Sequence, residues 1–331
     1  MNKSSVTTYA PARIHFGLFS IAEELGLRFG GAGLMVKNPT TVIKAAACKK
    51  LHCTDETGLL RKNVSMWWEK NADLMPGIAG VENLPIRLEL QSQPPRHSGF
   101  GSGTQIAMAV AATLFKFFEL NLPNAQELAK TMRRGKRSAI GTYGFQSGGF
   151  LVDQGISTNS TISKLKTQIH FPTDWRIILL IPKREQGMHG PLENKTFDEI
   201  VDQVKIRNRE RLTQLCFDSI VPAIENARYD QLGEPLYEFN RLSGQYFCEY
   251  QFGCYHSEKC AQIVEDIRGL GINTVGQSSW GPCIFAITKD QTTANEIVTK
   301  IQSDQSELYS ASNIDILITQ PDNDGVRFEI D

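Results

Sequence analysis

Charge of one sign is not in excess: 35 Lys and Arg against 36 Asp and Glu leave the 331-residue chain at a formal net charge of −1, with a pI near 6.6. So even a balance offers no global attraction to nucleic acid or to an anionic membrane, and any basic site must be local. No apolar run reaches the roughly eighteen residues that a spanning helix needs. The stretch Met1 to Thr8 is polar, without the apolar core of a signal peptide, and a cytoplasmic location is the default expectation. Seven cysteines, at positions 48, 53, 216, 248, 254, 260 and 283, are odd in number and contain no Cys-x-x-Cys pair. This points away from a zinc ribbon or a closed disulfide set and toward idle or buried thiols in a reducing compartment. Internal repeats and low-complexity tracts are absent, and no Ser-His-Asp or Cys-His nucleophile signature is legible.

The chain does hold a glycine-rich, hydroxyl-bearing loop that runs straight into an apolar helical pattern. It reads Arg96-His97-Ser98-Gly99-Phe100-Gly101-Ser102-Gly103-Thr104-Gln105. Three glycines at alternate positions let the backbone come close to a ligand, and Ser102 or Thr104 can cap a helix whose free N–H groups face an anion. Ile106, Val110, Leu114 and Phe117 repeat at helical spacing, predicting a helix over about 103–119. The loop has neither the Gly-Lys-Ser/Thr ending of a nucleotide P-loop nor the dinucleotide Gly-x-Gly-x-x-Gly. It is read as a phosphate cradle of a different kind; connector chemistry is the bland alternative.

Along the chain the pattern opens strand, turn, strand over 8–46, then predicts a helix at 61–75, a strand at 84–90 and a helix at 124–132. A second segment joins Arg133, Arg134, Lys136 and Arg137 to dense glycine at 141, 144, 148 and 149, which reads either as a solvated face or as backbone held against a ligand. Residues 156–168 look like a linker. Beyond it come a buried strand at 175–181, helices at 196–228 with an Arg207, Arg209, Arg211 cluster, at 230–250 and at 257–268, a glycine-punctuated strand approach at 276–287, a helix near 292–303 and closing strands near 314–318 and 326–330. The expectation is an α+β fold in two domains, 1–165 and 166–331, with helices on one face of an antiparallel sheet in the second.

With these segments in view, the chain resembles the superfamily of galactokinase, homoserine kinase, mevalonate kinase and phosphomevalonate kinase. The resemblance rests on Pro11 to Gly17, Pro95 to Gln105 and Gly276 to Pro282, in order. It implies a GHMP-kinase-like fold: a ribosomal-S5-like N-terminal domain, a ferredoxin-like C-terminal domain and a site in the cleft between them. The kinases usually carry Ser-Gly-x-Asp after the loop, where this chain has Ser138-Ala139-Ile140-Gly141, and their Gly-Ser-Ser-Ala is here Gly-Ser-Gly-Thr. Phosphoryl transfer needs a placed metal and an oriented nucleophile, so the missing acid counts against a kinase. Six segments, including Arg28 to Gly33, Arg137 to Phe145 and Gly148 to Asp153, are instead similar to the β-ribofuranosylaminobenzene 5′-phosphate synthase branch. That resemblance implies joining of phosphoribosyl pyrophosphate to 4-aminobenzoate or 4-hydroxybenzoate with release of CO2 and pyrophosphate, the first committed step of methanopterin synthesis, by a homodimer. A small-molecule kinase and a non-catalytic ligand sensor on the same scaffold are the competing readings.

Candidate residues follow. Gly99, Gly101, Ser102, Gly103, Thr104 and Gln105 would cradle the pyrophosphate, with Arg137, Lys136 and Ser138 beside it. Arg13 and Arg28 would pair with the benzoate carboxylate or the 5′-phosphate through the guanidinium fork. His15 and His97 are the histidines set in fingerprint segments, candidate proton donors or acceptors, although a lone histidine is more often structural. Tyr143 and Trp280 would stack on the aromatic acid or simply pack a core, and Gln277 and Ser278 would reach ribose or phosphate oxygens. Magnesium is the expected cofactor, with Asp153 its candidate ligand and an ordinary turn aspartate the alternative; no organic cofactor is expected.

Overall fold

The structure, a computed structural model, describes residues 5–19, 27–157, 160–185, 187, 208–304 and 306–331. Its first sheet is organised by two long strands, β1 (Ser5–Leu18) and β3 (Gly31–Ala47), paired antiparallel from Ser5 opposite Ala46 to Leu18 opposite Gly31. Both are far longer than the apolar cores at 14–19 and 41–47 suggested, because residues such as Thr7, Thr8 and Lys44 take part in the ladder regardless of side-chain polarity. Between them β2 (Leu27–Arg28) pairs with β7 (Ile156–Ser157). The sheet order is β13 (Arg327–Ile330), β1, β3, β5 (Ile86–Ser92), β4 (His52–Thr54), with β6 (Phe150–Asp153) and β8 (Leu165–Ile169) branching from β3.

The helix α1 (Leu59–Asn71) and the cradle helix α2 (Ser102–Phe117) cover this sheet. Nearly every residue of α2 is buried, and Ala107, Ala109, Ala111 and Ala112 allow that close packing. Trp67 of α1 meets Phe115 edge to face at 5.6 Å. Two short helices, α3 (Ala125–Thr131) and α4 (Ile140–Ser147), complete the domain. In α4 the two glycines differ: Gly144 serves helix packing, since a Cβ there would fall 2.4 Å from Met35 Sδ on β3, whereas Gly141 lines the candidate active-site cleft.

In the second domain β9 (Arg176–Pro182), β10 (Val275–Gln277), β11 (Ile284–Thr288) and β12 (Ile314–Thr319) form an antiparallel sheet in the order β10-β11-β9-β12. With helices Glu258–Gly269 and Gln291–Ser303 on one face this is the ferredoxin-like β-α-β-β-α-β arrangement, and the fold is α+β. The other face turns inward: Phe16 of β1 stacks on Phe285 of β11 at 5.0 Å, and helix Tyr229–Gly244 joins the same core, so the two domains share one apolar cluster. The anticipated boundary at 165/166 cuts into β8, which belongs to the first sheet, and β13 returns to that sheet from the end of the chain. The anticipated linker at 156–168 contains β7 and the start of β8, whose short polar strands carry little apolar signal. The part of the 196–228 helix before residue 208, with Arg207, lies outside the described residues.

Candidate active site

The cradle forms because Gly101 takes a left-handed conformation, φ 64°, as the N-cap of α2. No side chain caps this helix, so the expected Ser102 or Thr104 cap is not made; instead the N–H groups of Thr104 and Gln105 donate to Gly101 O at 3.0 and 3.2 Å. The positive end of a sixteen-residue helix is thereby left facing the cleft. Phe100, fully buried, plugs the loop into the core, and its carbonyl accepts from Arg13 N–H at 3.0 Å. Glycine is favoured at position 101 by the left-handed φ, and a Cβ there would also lie 2.9 Å from Arg13 Nε and push that side chain aside.

The turn at 278–281 locks this loop from the second domain. Ser278 Oγ donates to Gly99 O at 2.7 Å and accepts from His15 N–H at 3.0 Å, while Ser279 N–H donates to His15 O at 3.2 Å. Gly281 and Gly99 interdigitate so closely that a Cβ on Gly281 would sit 2.2 Å from Gly99 N. The three segments Pro11–Gly17, Pro95–Gln105 and Gly276–Pro282 thus meet at one place.

They border a cleft of about 360 Å³. Its lining brings together Arg13, His15, Gly101, Thr104, Lys136, Arg137, Ser138, Gln277 and Trp280 from the sequence-derived candidates. Asn240, Ser243, Phe247 and Gln251 line it too and escaped the sequence reading, while Arg133, Arg134 and Ser279 line it from segments singled out without being named as site residues. Asn240 and Ser243 lie on helix Tyr229–Gly244 and Phe247 in the 3-10 turn that continues it, three and four apart, a facing set that helical spacing could have revealed. Asn240 Nδ2 donates to Phe16 O at 2.6 Å and to Gln277 O at 2.8 Å, tying the domains together behind the cleft.

Several candidates lie outside the lining. Gln105 is buried and pins α2 to α4 through Nε2 to Gly141 O at 2.8 Å. Tyr143 donates to Ser163 O at 2.9 Å and packs in the core, so it presents no ring to a substrate. Arg28 lies over the Phe29 ring at 6.0 Å on β2. His97 has a left-handed backbone, φ 59°, and its carbonyl accepts from Gly187 N–H at 2.7 Å. Gly99 and Ser278 act through the interlock, and Ser102 and Gly103 form the first turn of α2 behind Gly101.

His15 and Asp153 belong to one buried chain. His15 Nε2 lies 3.1 Å from Ser138 Oγ, which donates to Asp153 Oδ2 at 3.0 Å; Ala139 N–H also donates to Oδ2, at 2.7 Å. Asp153 Oδ1 accepts from Ser163 Oγ at 3.0 Å and Gly155 N–H at 3.2 Å. Burial pushes the Asp153 carboxyl up to about 6 against these hydrogen bonds. Burial, with a smaller push from Arg13, pulls His15 well below the ordinary imidazole range and leaves it neutral. With Ser138 donating to an ionised Asp153, its oxygen accepts from His15, which fixes the proton on Nε2.

Each Asp153 oxygen already holds two donors, so the expectation of a metal ligand is corrected: this carboxylate orders the 138–139 backbone. Among the described residues no group of three or more His, Cys, Asp or Glu could hold a metal ion, and the lining of the cleft contains no Asp or Glu. The described lining thus supplies no carboxylate ligand to a magnesium ion, which such sites also hold through substrate phosphates.

Comparison with known proteins places the architecture. Residues 69–154 match the N-terminal domain of the GHMP kinases and residues 220–306 their C-terminal domain. The chain is 28% identical to the β-ribofuranosylphenol 5′-phosphate synthase of Archaeoglobus fulgidus over 97% of its own length and 98% of that protein. It is 27% identical to the protein of the same name from Methanothermobacter thermautotrophicus, covering 85% of this chain and 88% of the relative. Among solved structures, the mevalonate kinase of Methanococcus jannaschii superposes with a TM-score of 0.67 at 13% identity over 96% of this chain and 98% of that one. A homoserine kinase from Cytophaga hutchinsonii does so at 0.65 and 16%, over 99% and 98%. Those structural likenesses speak to fold alone. Matched in order by both domains over just over half of its length, the chain belongs to the GHMP kinases as a structural superfamily.

Proposed function

We propose that the cleft joins phosphoribosyl pyrophosphate to 4-hydroxybenzoate, releasing CO2 and pyrophosphate, at the entry to methanopterin synthesis. The observation that carries this reading is the lining itself: Arg13, Arg134, Lys136 and Arg137 gather at a helix N-terminus with no carboxylate among the described lining residues. A kinase of this fold needs an acid to place metal or orient a nucleophile, whereas a substrate bearing three phosphoryl groups calls for cations. The relatives are named for a ribofuranosylphenol, which favours the 4-hydroxy acid over 4-aminobenzoate.

In the reaction the C1–oxygen bond of the ribose breaks, and its electron pair leaves with the diphosphate. The α2 N-terminus with Arg13 and Arg137 neutralises the charge that develops there. Phe247 and Trp280, ring centroids 4.5 Å apart, hold the aromatic acid so that its carboxylate-bearing carbon faces C1. That carbon attacks with ring electrons, and the pair from the breaking ring–carboxylate bond restores aromaticity as CO2 departs. His15, neutral and fixed by Ser138, holds a hydroxyl and carries no charge itself. Carboxyl-labelled 4-hydroxybenzoate should release labelled CO2 only when phosphoribosyl pyrophosphate is supplied. ATP-dependent phosphorylation of an alcohol without gas release would replace this reading with a kinase.

A further inference from the structure

Within the basic run, neighbouring arginines point opposite ways. Helix α3 ends in a Schellman turn: Arg134 N–H donates to Ala129 O at 2.7 Å, Arg133 N–H donates to Lys130 O at 3.1 Å, and Arg133 takes the left-handed position, φ 53°. The turn throws Arg133 outward, where it pairs with Glu69 at 2.6 Å on the surface. Arg134 is turned inward against the cradle, its Nη1 3.7 Å from the point where a Cβ on Gly103 would lie.

Arg134 has no ion pair and no side-chain hydrogen bond among the described residues, and its Nε is buried without a partner. Burial draws the guanidinium below the usual arginine range. A partly desolvated cation beside the positive end of α2 opposes folding. Arg134 is not satisfied by the described groups of the protein, and the partner a guanidinium lacks is an anion.

We infer that Arg134 is a diphosphate-binding residue, its charge held unpaired in the free protein and neutralised by a diphosphate seated on Gly101–Thr104. This rests on the proposed function for the identity of the substrate but not for the binding itself. Its neighbour Arg133 has a carboxylate partner, and Arg134 has none among the described residues.

The test compares wild type with Arg134→Met and Arg134→Lys by thermal unfolding and calorimetry, using inorganic pyrophosphate, phosphoribosyl pyrophosphate and ADP as probes. Arg134→Met should raise the unfolding midpoint of the free protein by about 2 °C or more and weaken pyrophosphate at least roughly thirtyfold. Arg134→Lys should recover part of that binding. A gain in stability with a loss of binding is the signature that a packing role would not produce. Unchanged pyrophosphate affinity in Arg134→Met, or a lowered midpoint in both variants, overturns the inference. Wild type that binds ADP but not phosphoribosyl pyrophosphate leaves Arg134 a diphosphate ligand and sinks the proposed transferase instead.

Discussion

Across the cleft, the wall from the first domain presents Arg13, Arg134, Lys136 and Arg137 around a helix end, whereas the wall from the second presents Asn240, Ser243, Phe247, Gln251, Gln277 and Trp280. One wall is charged and backbone-rich, the other aromatic and amide-lined, with the Phe247 and Trp280 rings tilted 47° to each other. A charged wall gains most from ligands whose negative charge grows along the reaction. An aromatic wall with hydrogen-bonding rims selects planar shape and contributes position. For the proposed reaction this contrast would divide the work between domains: phosphate chemistry on one side, the arene on the other.

Separating the walls should have the largest effect. In Gly281→Ala the new Cβ would lie 2.2 Å from Gly99 N, backbone against backbone, with no flexible side chain able to yield. A loss of at least about 4 kcal/mol is expected, measured by denaturant unfolding; a variant that folds and turns over normally would show that the walls can move apart freely. Next comes the charged wall alone. Arg137→Ala should cut labelled CO2 release about a hundredfold or more while the unfolding transition stays cooperative and near its wild-type midpoint. Full turnover would remove Arg137 from the chemistry.

On the aromatic wall, Phe247→Leu should raise KM for 4-hydroxybenzoate roughly fivefold and leave KM for phosphoribosyl pyrophosphate within about twofold. If both constants rise together in steady-state assays, the division between domains is wrong and the aromatic pair merely supports the cradle. The paired measurement matters more than either variant, because it asks whether each substrate senses one wall.

How much of this was legible follows the range of the interactions. The cradle could be read because its glycines, hydroxyls and helix are contiguous, and helices such as 257–268 and 292–303 because their apolar spacing is local. Of the second wall only Gln277 and Trp280 were read, since Asn240 and Gln277 become neighbours only through the fold. Asp153 was mistaken for a metal ligand because sequence gives the carboxylate but not its four donors. Arg133 and Arg134 are indistinguishable as letters, and a single left-handed residue sends them to opposite faces. Tyr143 sits in a segment full of site residues, yet its ring is turned into the core by the periodicity of α4, a helix that the glycines concealed.

The smallest effects concern the buried chain behind the charged wall, where two groups titrate against each other. His15 has a folded pKa well below its unfolded 6.5, so the unfolded state takes up protons first and stability is lost as pH falls below that value. Asp153 runs the other way: its folded value of about 6 exceeds the unfolded 3.8, so its contribution is present at low pH and fades as pH rises through about 6. Between pH 6.5 and about 4 the two slopes oppose, each at most about 1.4 kcal/mol per pH unit. Stability–pH profiles should therefore separate them: His15→Gln flattens the loss on acidification and Asp153→Asn steepens it, whatever either does to stability at pH 7. Parallel profiles for the two variants would mean that the Ser138 bridge does not hold both groups in these environments. The neutral His15 assigned to the cleft would then lose its physical basis.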